Sequence, residues 1–355
     1  MQINKGQFKI SSWSERLRFN LRRGKGHMLA YMANRFRWYF YPRLRRAGSF
    51  PNHVDIETSS ACDMRCPMCY TVTAEFKKLV RPKVMDLDLF KKIVDECAAN
   101  GVYSIRVSLR GEPFLHPQIV EMVRYAKESG IPEVASLTNM LKLTPERFAE
   151  LVDIGMDWLT VSFDGMGETY ERIRKPAKFD EAVEKLREFK RIKQVKGSVK
   201  PVIKVQSVWT YIQDDPQAFY DLFAPIVDEV ASNPEIDFNC AESEIEYLDD
   251  FTCPTLWQRL AIGADGRVLM CINDEYTKHS IGDANAQSIR EIWNGEALRA
   301  VRQEHLDGAG HRELEPCKTC IYPRKINKNT TSVDGRQIEN YEYTTRSEEE
   351  VAQVS

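Results

Sequence analysis

The chain has 355 residues, a net charge of −2 and 43% hydrophobic residues, the composition of a soluble protein with two domains or one large domain and an appendage. No run of eighteen apolar residues occurs, which excludes a transmembrane helix, and the N-terminus lacks the three-part pattern of a signal peptide. Nine cysteines without a secretion signal point to a reducing, cytoplasmic setting and to metal or catalytic thiols instead of disulfides.

Residues 1–50 read as a basic, aromatic arm. From Arg16 to Arg46 there are ten Lys or Arg and no Asp or Glu, interleaved with Phe19, Tyr31, Phe36, Trp38, Tyr39, Phe40 and Tyr41. Such a segment suits an anionic partner, for example a membrane surface. Its arginines do not cluster on one clear helical face, so packing on the body of the protein is the favoured expectation. No nucleic-acid partner is expected.

Residues 51–240 alternate short apolar strands with amphipathic helices. The strands are VDIE from 54, YSIRVSLRG, VASLTN, LTVSFD, VIKVQSV and IDFN. A helix is expected over DLDLFKKIVDECAA with Gly101 as its stop, and Cys97 lies on its apolar stripe. Another should begin at Thr144-Pro145, a cap followed by a first-turn proline. Six strand–helix units imply a parallel sheet, too few for a closed eight-stranded barrel. The expected α/β fold is an open, partial (β/α)6 barrel with a small C-terminal domain over 241–323. The polar segment 324–355 is expected to be disordered.

Chemistry in parallel α/β folds collects at the C-terminal ends of the strands. The loop after the first strand, TSSACDMRCPMCYTV, carries Cys62, Cys66 and Cys69. Structural zinc takes four ligands, and His53 leads into the strand instead of standing at ligand spacing. A [4Fe-4S] cluster held by three cysteines would keep one iron open. Later loops on the same edge bring Arg110, Gly111 and Glu112, then Thr138 and Asn139, then Ser162 and Asp164 with Arg172 and Arg174 beyond, and Gln206 lies in the fifth strand. Gly111 allows close backbone approach to a ligand, Glu112 suits an ammonium, Thr138 and Asn139 a ribose, and arginine a carboxylate.

Downstream, Cys253 and Cys271 flank LAIGADGRVLM, a hairpin turning at Asp265-Gly266, and Cys317 and Cys320 form CKTC after the helical stretch SIREIWNGEALRAVRQE. Spacing alone leaves this four-cysteine set open between structural zinc and an iron–sulfur cluster.

The three-cysteine loop and RGEP resemble the radical SAM enzymes over roughly residues 50 to 240. RGEP stands where the family has Gly-Gly-Glu-Pro; Arg110 replaces its first Gly, and Met68 stands where many members carry an aromatic. The resemblance implies a cluster on Cys62, Cys66 and Cys69, with S-adenosylmethionine chelating the open iron. Met68, Arg110, Gly111, Glu112, Thr138, Asn139, Ser162, Asp164, Arg174 and Gln206 would surround that cofactor. An external electron donor such as flavodoxin or ferredoxin is implied, as is hydrogen-atom abstraction by a 5′-deoxyadenosyl radical. The C-terminal segment, with GDANAQSIREIWN, resembles the shortened SPASM region called Twitch, which implies an auxiliary [4Fe-4S] cluster on Cys253, Cys271, Cys317 and Cys320. Twitch enzymes suggest oxidation of an alcohol in a sugar or aminocyclitol. Epimerisation with Cys240 as hydrogen donor and peptide modification are the alternatives. Trp209, Tyr211, Trp257 and Arg259 are candidate substrate-wall residues.

Overall fold

The computed structural model describes residues 7–236, 245–248 and 251–342. The arm is ordered: strand β1 (Phe8–Lys9), then helices α1 (Trp13–Arg23) and α2 (Met28–Arg43). Ser12 and Glu15 form a reciprocal capping box that starts α1.

Parallel strands follow as β2 (His53–Ile56), β3 (Ser104–Arg106), β4 (Glu133–Thr138), β5 (Trp158–Ser162), β6 (Val202–Val208) and β7 (Glu229–Asn233). Helices Leu87–Ala99 and Pro145–Ile154 stand where the sequence placed them, capped by Asp86 and Thr144. Cys97 is fully buried in the core.

Two expectations fail. The sixth strand is Glu229–Asn233; of IDFN, only Ile236 lies within the described residues. Its charges hid it: Glu229 is paired with Lys9, and the preceding Asp228 accepts from Ile203 N and Lys193 Nζ. The segment after Tyr322, expected to be disordered, contains the hairpin β11 (Asn327–Val333) and β12 (Arg336–Glu342). Its turn is Asp334-Gly335, both residues at positive φ, the backbone that an Asp-Gly hairpin favours.

The remaining strands are β8 (Arg259–Ile262), β9 (Arg267–Leu269) and β10 (Ser280–Asp283). The hairpin turn between β8 and β9 falls at Asp265-Gly266 as expected, with Gly266 at φ +90. The following helical stretch is broken at Asn294-Gly295 into Ile289–Trp293 and Glu296–Leu306. The ten-stranded sheet runs β1-β7-β6-β5-β4-β3-β2-β8-β9-β10. β8 pairs with β2 in parallel, so the C-terminal region continues the barrel's sheet.

Alternation sorts the two faces. Val54, Ile56, Ile105, Val134, Leu159, Val161, Val205 and Val230 are fully buried among apolar residues. The opposite face is charged. Asp55 lies in register with Arg106 and pairs with it at 2.7 Å and with Arg259 at 3.2 Å. His53 bonds Ser104 and Asp55. Lys204 lies in register with Thr160 and Glu229, and two positions on, Gln206 lies in register with Ser162. The arm closes the N-terminal edge of this charged interior. Arg23 forks onto Glu133, the first residue of β4, and stacks over Trp158, the first of β5. Burial would raise the Glu133 carboxyl, but Arg23 holds it at about 2.

The C-terminal hairpin is bound by contacts of its own. Tyr341 meets Phe8 edge-on at 4.7 Å, Arg336 donates to Ile10 O, and Asp334 N donates to Gln217. Tyr341→Ser is expected to cost about 2–3 kcal/mol in chemical denaturation. An unchanged midpoint would mean the hairpin contributes nothing.

Candidate active site: two cysteine sets on one sheet

The first cysteine loop leaves β2 through Glu57 and Thr58. Thr58 Oγ1 donates to Val107 O, and Ser60 N donates to Lys83 O, which pin the loop to its neighbours. Cys62 is exposed, Cys66 buried and Cys69 half-buried, and all eight described cysteines are free. Although the Cys62 residue is exposed as a whole, desolvation at its sulfur, with Glu112, Asp63 and Cys69 adding to it, pushes the thiol up to about 12. Burial also raises Cys66, while nearby Arg174 pulls it down and Cys69 adds to the rise.

Gly111 does approach closely, but its neighbour is the cysteine loop's own backbone. A Cβ there would stand 2.3 Å from Ala61 O, and Glu112 N donates to that same oxygen at 2.7 Å. Glu112 is almost wholly buried. Its carboxylate accepts from Thr138 Oγ1 at 2.7 Å, Asn139 N at 2.7 Å and Phe114 N at 3.1 Å. Desolvation nonetheless lifts it to about 7. Thr138 and Asn139 therefore hold Glu112. Asn139 Nδ2 also reaches Asp63 at 2.7 Å and lies 3.8 Å from Cys62 Sγ.

Arg110, expected beside the cofactor, is committed elsewhere. It forks onto Glu57 at 2.5 and 2.6 Å, and its remaining nitrogen donates to Thr277 Oγ1 at 2.6 Å and Glu275 O at 3.2 Å. Asp164 pairs with Arg174 at 2.5 Å and accepts from Val208 N at 2.7 Å, tying the loop after β5 to the end of β6. Arg174 Nε is buried with no hydrogen-bond partner among the described residues. Ser162 and Gln206 sit side by side on β5 and β6, where Gln7 donates to Gln206. Met68 packs on the core, and the aromatic nearby is Tyr70, edge-on to Phe76.

The candidate substrate-wall residues separate. Trp257 and Trp209 are buried in the core, and Arg259 is held by Asp55 and stacks on Trp38. Tyr211 stays near the first site, where its hydroxyl is raised by burial and by nearby carboxylates, including Asp164. Cys240 lies outside the described residues.

The second set is gathered by short elements. Cys253 precedes helix Thr255–Gln258, the β8–β9 hairpin delivers Cys271, and helix Glu315–Lys318 carries Cys317, with Cys320 N donating to Cys317 O at 3.1 Å. The Cys271 thiol is driven well up by burial, and Cys317, Cys253 and Cys320 add to the rise. Among the described residues, no three His, Cys, Asp or Glu side chains are grouped as a holder of a single metal ion. Sequence reading missed the polar groups around this set. Asn273 Nδ2 donates to Cys320 Sγ at 3.3 Å, and His305 Nε2 lies 3.6 Å from Cys317 Sγ with its Nδ1 unpartnered. It also missed Glu275, a half-buried residue whose carboxyl is lifted to about 8 by desolvation, then by Asp274. Only spatial neighbours mark these residues; no local motif does.

The radical SAM superfamily model matches residues 56–203, and that of an iron-sulfur cluster-binding domain, SPASM, matches residues 253–321. The chain carries a radical SAM domain followed by a SPASM region. Such domains bind S-adenosylmethionine, a [4Fe-4S] cluster and auxiliary iron–sulfur clusters. The donor sets fit in chemistry: the first site offers three thiols with a buried carboxylate near Cys62 and an unsatisfied guanidinium nitrogen near Cys66, and the second offers four thiols, three buried and one half-buried.

Among curated proteins, the tungsten-containing aldehyde ferredoxin oxidoreductase cofactor-modifying protein of Pyrococcus furiosus is 32% identical over 44% of this chain and 44% of its own. GTP 3′,8-cyclase of Chlorobaculum tepidum is 33% identical over 38% of this chain and 40% of its own. PqqA peptide cyclase of Bradyrhizobium diazoefficiens is 33% identical over 33% of this chain and 30% of its own. The chain thus spans less than half the length of these relatives. Similar solved structures are BtrN in complex with AdoMet and 2-DOIA (TM-score 0.50, 18% identity, 76% of this chain and 92% of that one) and Streptococcus suis SuiB bound to S-adenosylmethionine (0.54, 14%, 86% and 82%). At these identities the likeness is one of fold.

The Glu57–Arg110 pair joins the two sites. Arg110→Met leaves Glu57 buried and unpaired, and is expected to cost about 3–5 kcal/mol in denaturation of the metal-loaded protein. The double variant with Glu57→Met should recover more than half of that. Additive losses in the double-mutant cycle would show that the two residues act independently.

Proposed function

We propose that this radical SAM enzyme oxidises an alcohol carbon of a small polyhydroxylated substrate, a sugar or aminocyclitol, to a ketone. The observation that supports it is the position of Glu275. Its carbonyl accepts from Arg110, Tyr276 beside it meets Tyr70 of the first cysteine loop at 6.2 Å, and Asn273 two residues before it donates to Cys320 Sγ at 3.3 Å, so it lies on a segment that touches both cysteine sets.

In this reading Cys62, Cys66 and Cys69 hold the [4Fe-4S] cluster that binds S-adenosylmethionine. Glu112 takes the cofactor's ammonium, and the free Nε of Arg174 is available to its carboxylate. Cys253, Cys271, Cys317 and Cys320 hold the auxiliary cluster. A small carrier such as flavodoxin or ferredoxin is the external reductant. When bound, these groups remove one hydrogen atom from the alcohol carbon and accept one further electron. The hydroxyl proton then needs a base on this chain. Glu275 meets that need: a carboxylate with an affinity near 8 is a far stronger base than an ordinary one.

The charged interior adds a feature to the substrate. Lys204 is 4% exposed and has no ion pair among the described residues. Its amine lies over the Trp158 ring at 4.9 Å, and its register neighbour Glu229 is held by Lys9. Burial drives the Lys204 amine well below its usual range, toward the neutral form, and a phosphate or carboxylate on the substrate would restore its charge, which favours an acidic polyol.

S-adenosylmethionine binding should weaken as pH falls through about 7. Protonated Glu112 cannot hold an ammonium, and the ionised form is the one that the cofactor stabilises. Titrations of the cluster-loaded protein across that range check this, and an affinity independent of pH would remove Glu112 from the contact. Glu275→Gln should lower ketone formation by about 10²–10⁴-fold while 5′-deoxyadenosine still forms and iron content is unchanged. In the unaltered enzyme, turnover should climb with pH toward about 8, and the variant should lose that limb. Full ketone yield in the variant would sink the assignment of the base.

A further inference from the structure

The arm on the N-terminal edge of the barrel has two faces, and only one is used. Inward, Phe19, Arg23, Tyr31 and Asn34 are buried. Phe19 meets Trp158 edge-on at 5.9 Å, Asn34 and Asn52 each donate a side-chain amide to the other's backbone carbonyl, and Gln258 donates to Trp38 O at 2.6 Å. The arm is therefore fixed to the barrel.

Outward, the arm is apolar. Among the described residues twelve large hydrophobic side chains are exposed, and nine of them lie between Trp13 and Leu44. They follow helical spacing. On α1, Trp13 (70% exposed), Leu17 and Leu21 recur every four residues; on α2, Leu29 (85%), Met32 and Phe36 recur every three or four. Concentrated exposure of this kind marks an interaction surface.

Charge selects the occupant. The arginines that obscure the pattern in the sequence are those that turn toward the body. Arg22 pairs with Asp228, Arg23 with Glu133, and Arg35 donates to Asn34. The cations left exposed, Arg18, Lys25, Arg37, Arg43, Arg45 and Arg46, flank the apolar stripes, and no Asp or Glu falls between residues 16 and 46. A second copy of this face would bring like charges together. Exposed apolar and aromatic side chains ringed by arginine match an anionic lipid interface, where the apolar groups enter the headgroup boundary and the cations meet phosphates.

We propose that α1 and α2 dock this enzyme on an anionic membrane surface. Glu133 and Trp158, which the arm covers, begin their strands, whereas the cysteine loop leaves the end of β2. Docking would thus leave the site turned away from the lipid, open to water-borne substrate.

The test is co-sedimentation of the full-length, cluster-loaded protein with two kinds of vesicle. One is phosphatidylcholine alone, and the other is equal parts phosphatidylglycerol and phosphatidylcholine. The expected result is binding to the anionic vesicles only, weakened by salt. A Leu29→Ser, Phe36→Ser variant and an Arg37→Glu, Arg43→Glu variant should each bind about tenfold or more weakly. Both should keep the 5′-deoxyadenosine yield and melting temperature of the parent, because their side chains are exposed. Failure to bind either vesicle would overturn the proposal. So would anionic binding indifferent to the Leu29→Ser, Phe36→Ser change, which would be unspecific charge attraction. A dimer in solution that the same change dissolves would reassign the patch to self-association.

Discussion

The buried fork of Arg110 on Glu57 is the interaction on which the arrangement of the two cysteine sets depends. Glu57 follows β2 and introduces the first cysteine loop; it also accepts from Ala264 N in the β8–β9 turn. Arg110 begins the segment that holds Glu112, and its outer nitrogen grips Thr277 and the Glu275 carbonyl. One ion pair thus joins the first cysteine loop, the Glu112 loop, the β8–β9 turn and the segment after β9. Ion pairs this deeply buried add little net stability, but removing one partner is costly, so the pair acts as a geometric constraint. Glycine at position 110 would carry no side chain to span this gap.

Much of the fold was legible because period and punctuation agreed. Asp86 before an apolar stripe, Thr144-Pro145 and Asp265-Gly266 each state their local structure through a cap or a turn. The failures share a cause. Glu229–Asn233 and the hairpin after Asn327 carry charged or polar residues whose partners are distant in sequence, such as Lys9, Gln217 and Phe8. Composition describes such segments as loop or tail, because the compensating group appears only in three dimensions.

The candidate site divides in the same way. Cysteine spacing and RGEP are local signals, and they located both sulfur sets. The duties of single residues were less visible. Thr138 and Asn139 proved to be supports of Glu112, Asp164 a brace for Arg174 and Val208, and Gly111 a point of backbone contact with Ala61. These residues shape the site at one remove, and a sequence cannot distinguish touching a ligand from holding the residue that does. Glu275 was missed for a related reason: its altered acidity comes first from desolvation in the folded chain, to which the adjoining Asp274 adds, and an Asp-Glu pair by itself reads as a surface charge.

The parallel pairing of β2 with β8 bears on how charge would cross the molecule. The first cysteine loop leaves β2, Cys253 and Cys271 flank the β8–β9 hairpin beside it, and neighbouring strands lie roughly 5 Å apart, locked by their hydrogen bonds. A domain on a flexible tether would sample a spread of separations, and any tunnelling rate would be averaged over that spread. Here the C-terminal region is welded along a strand edge, so the gap between the two redox centres is a fixed mechanical property of the sheet.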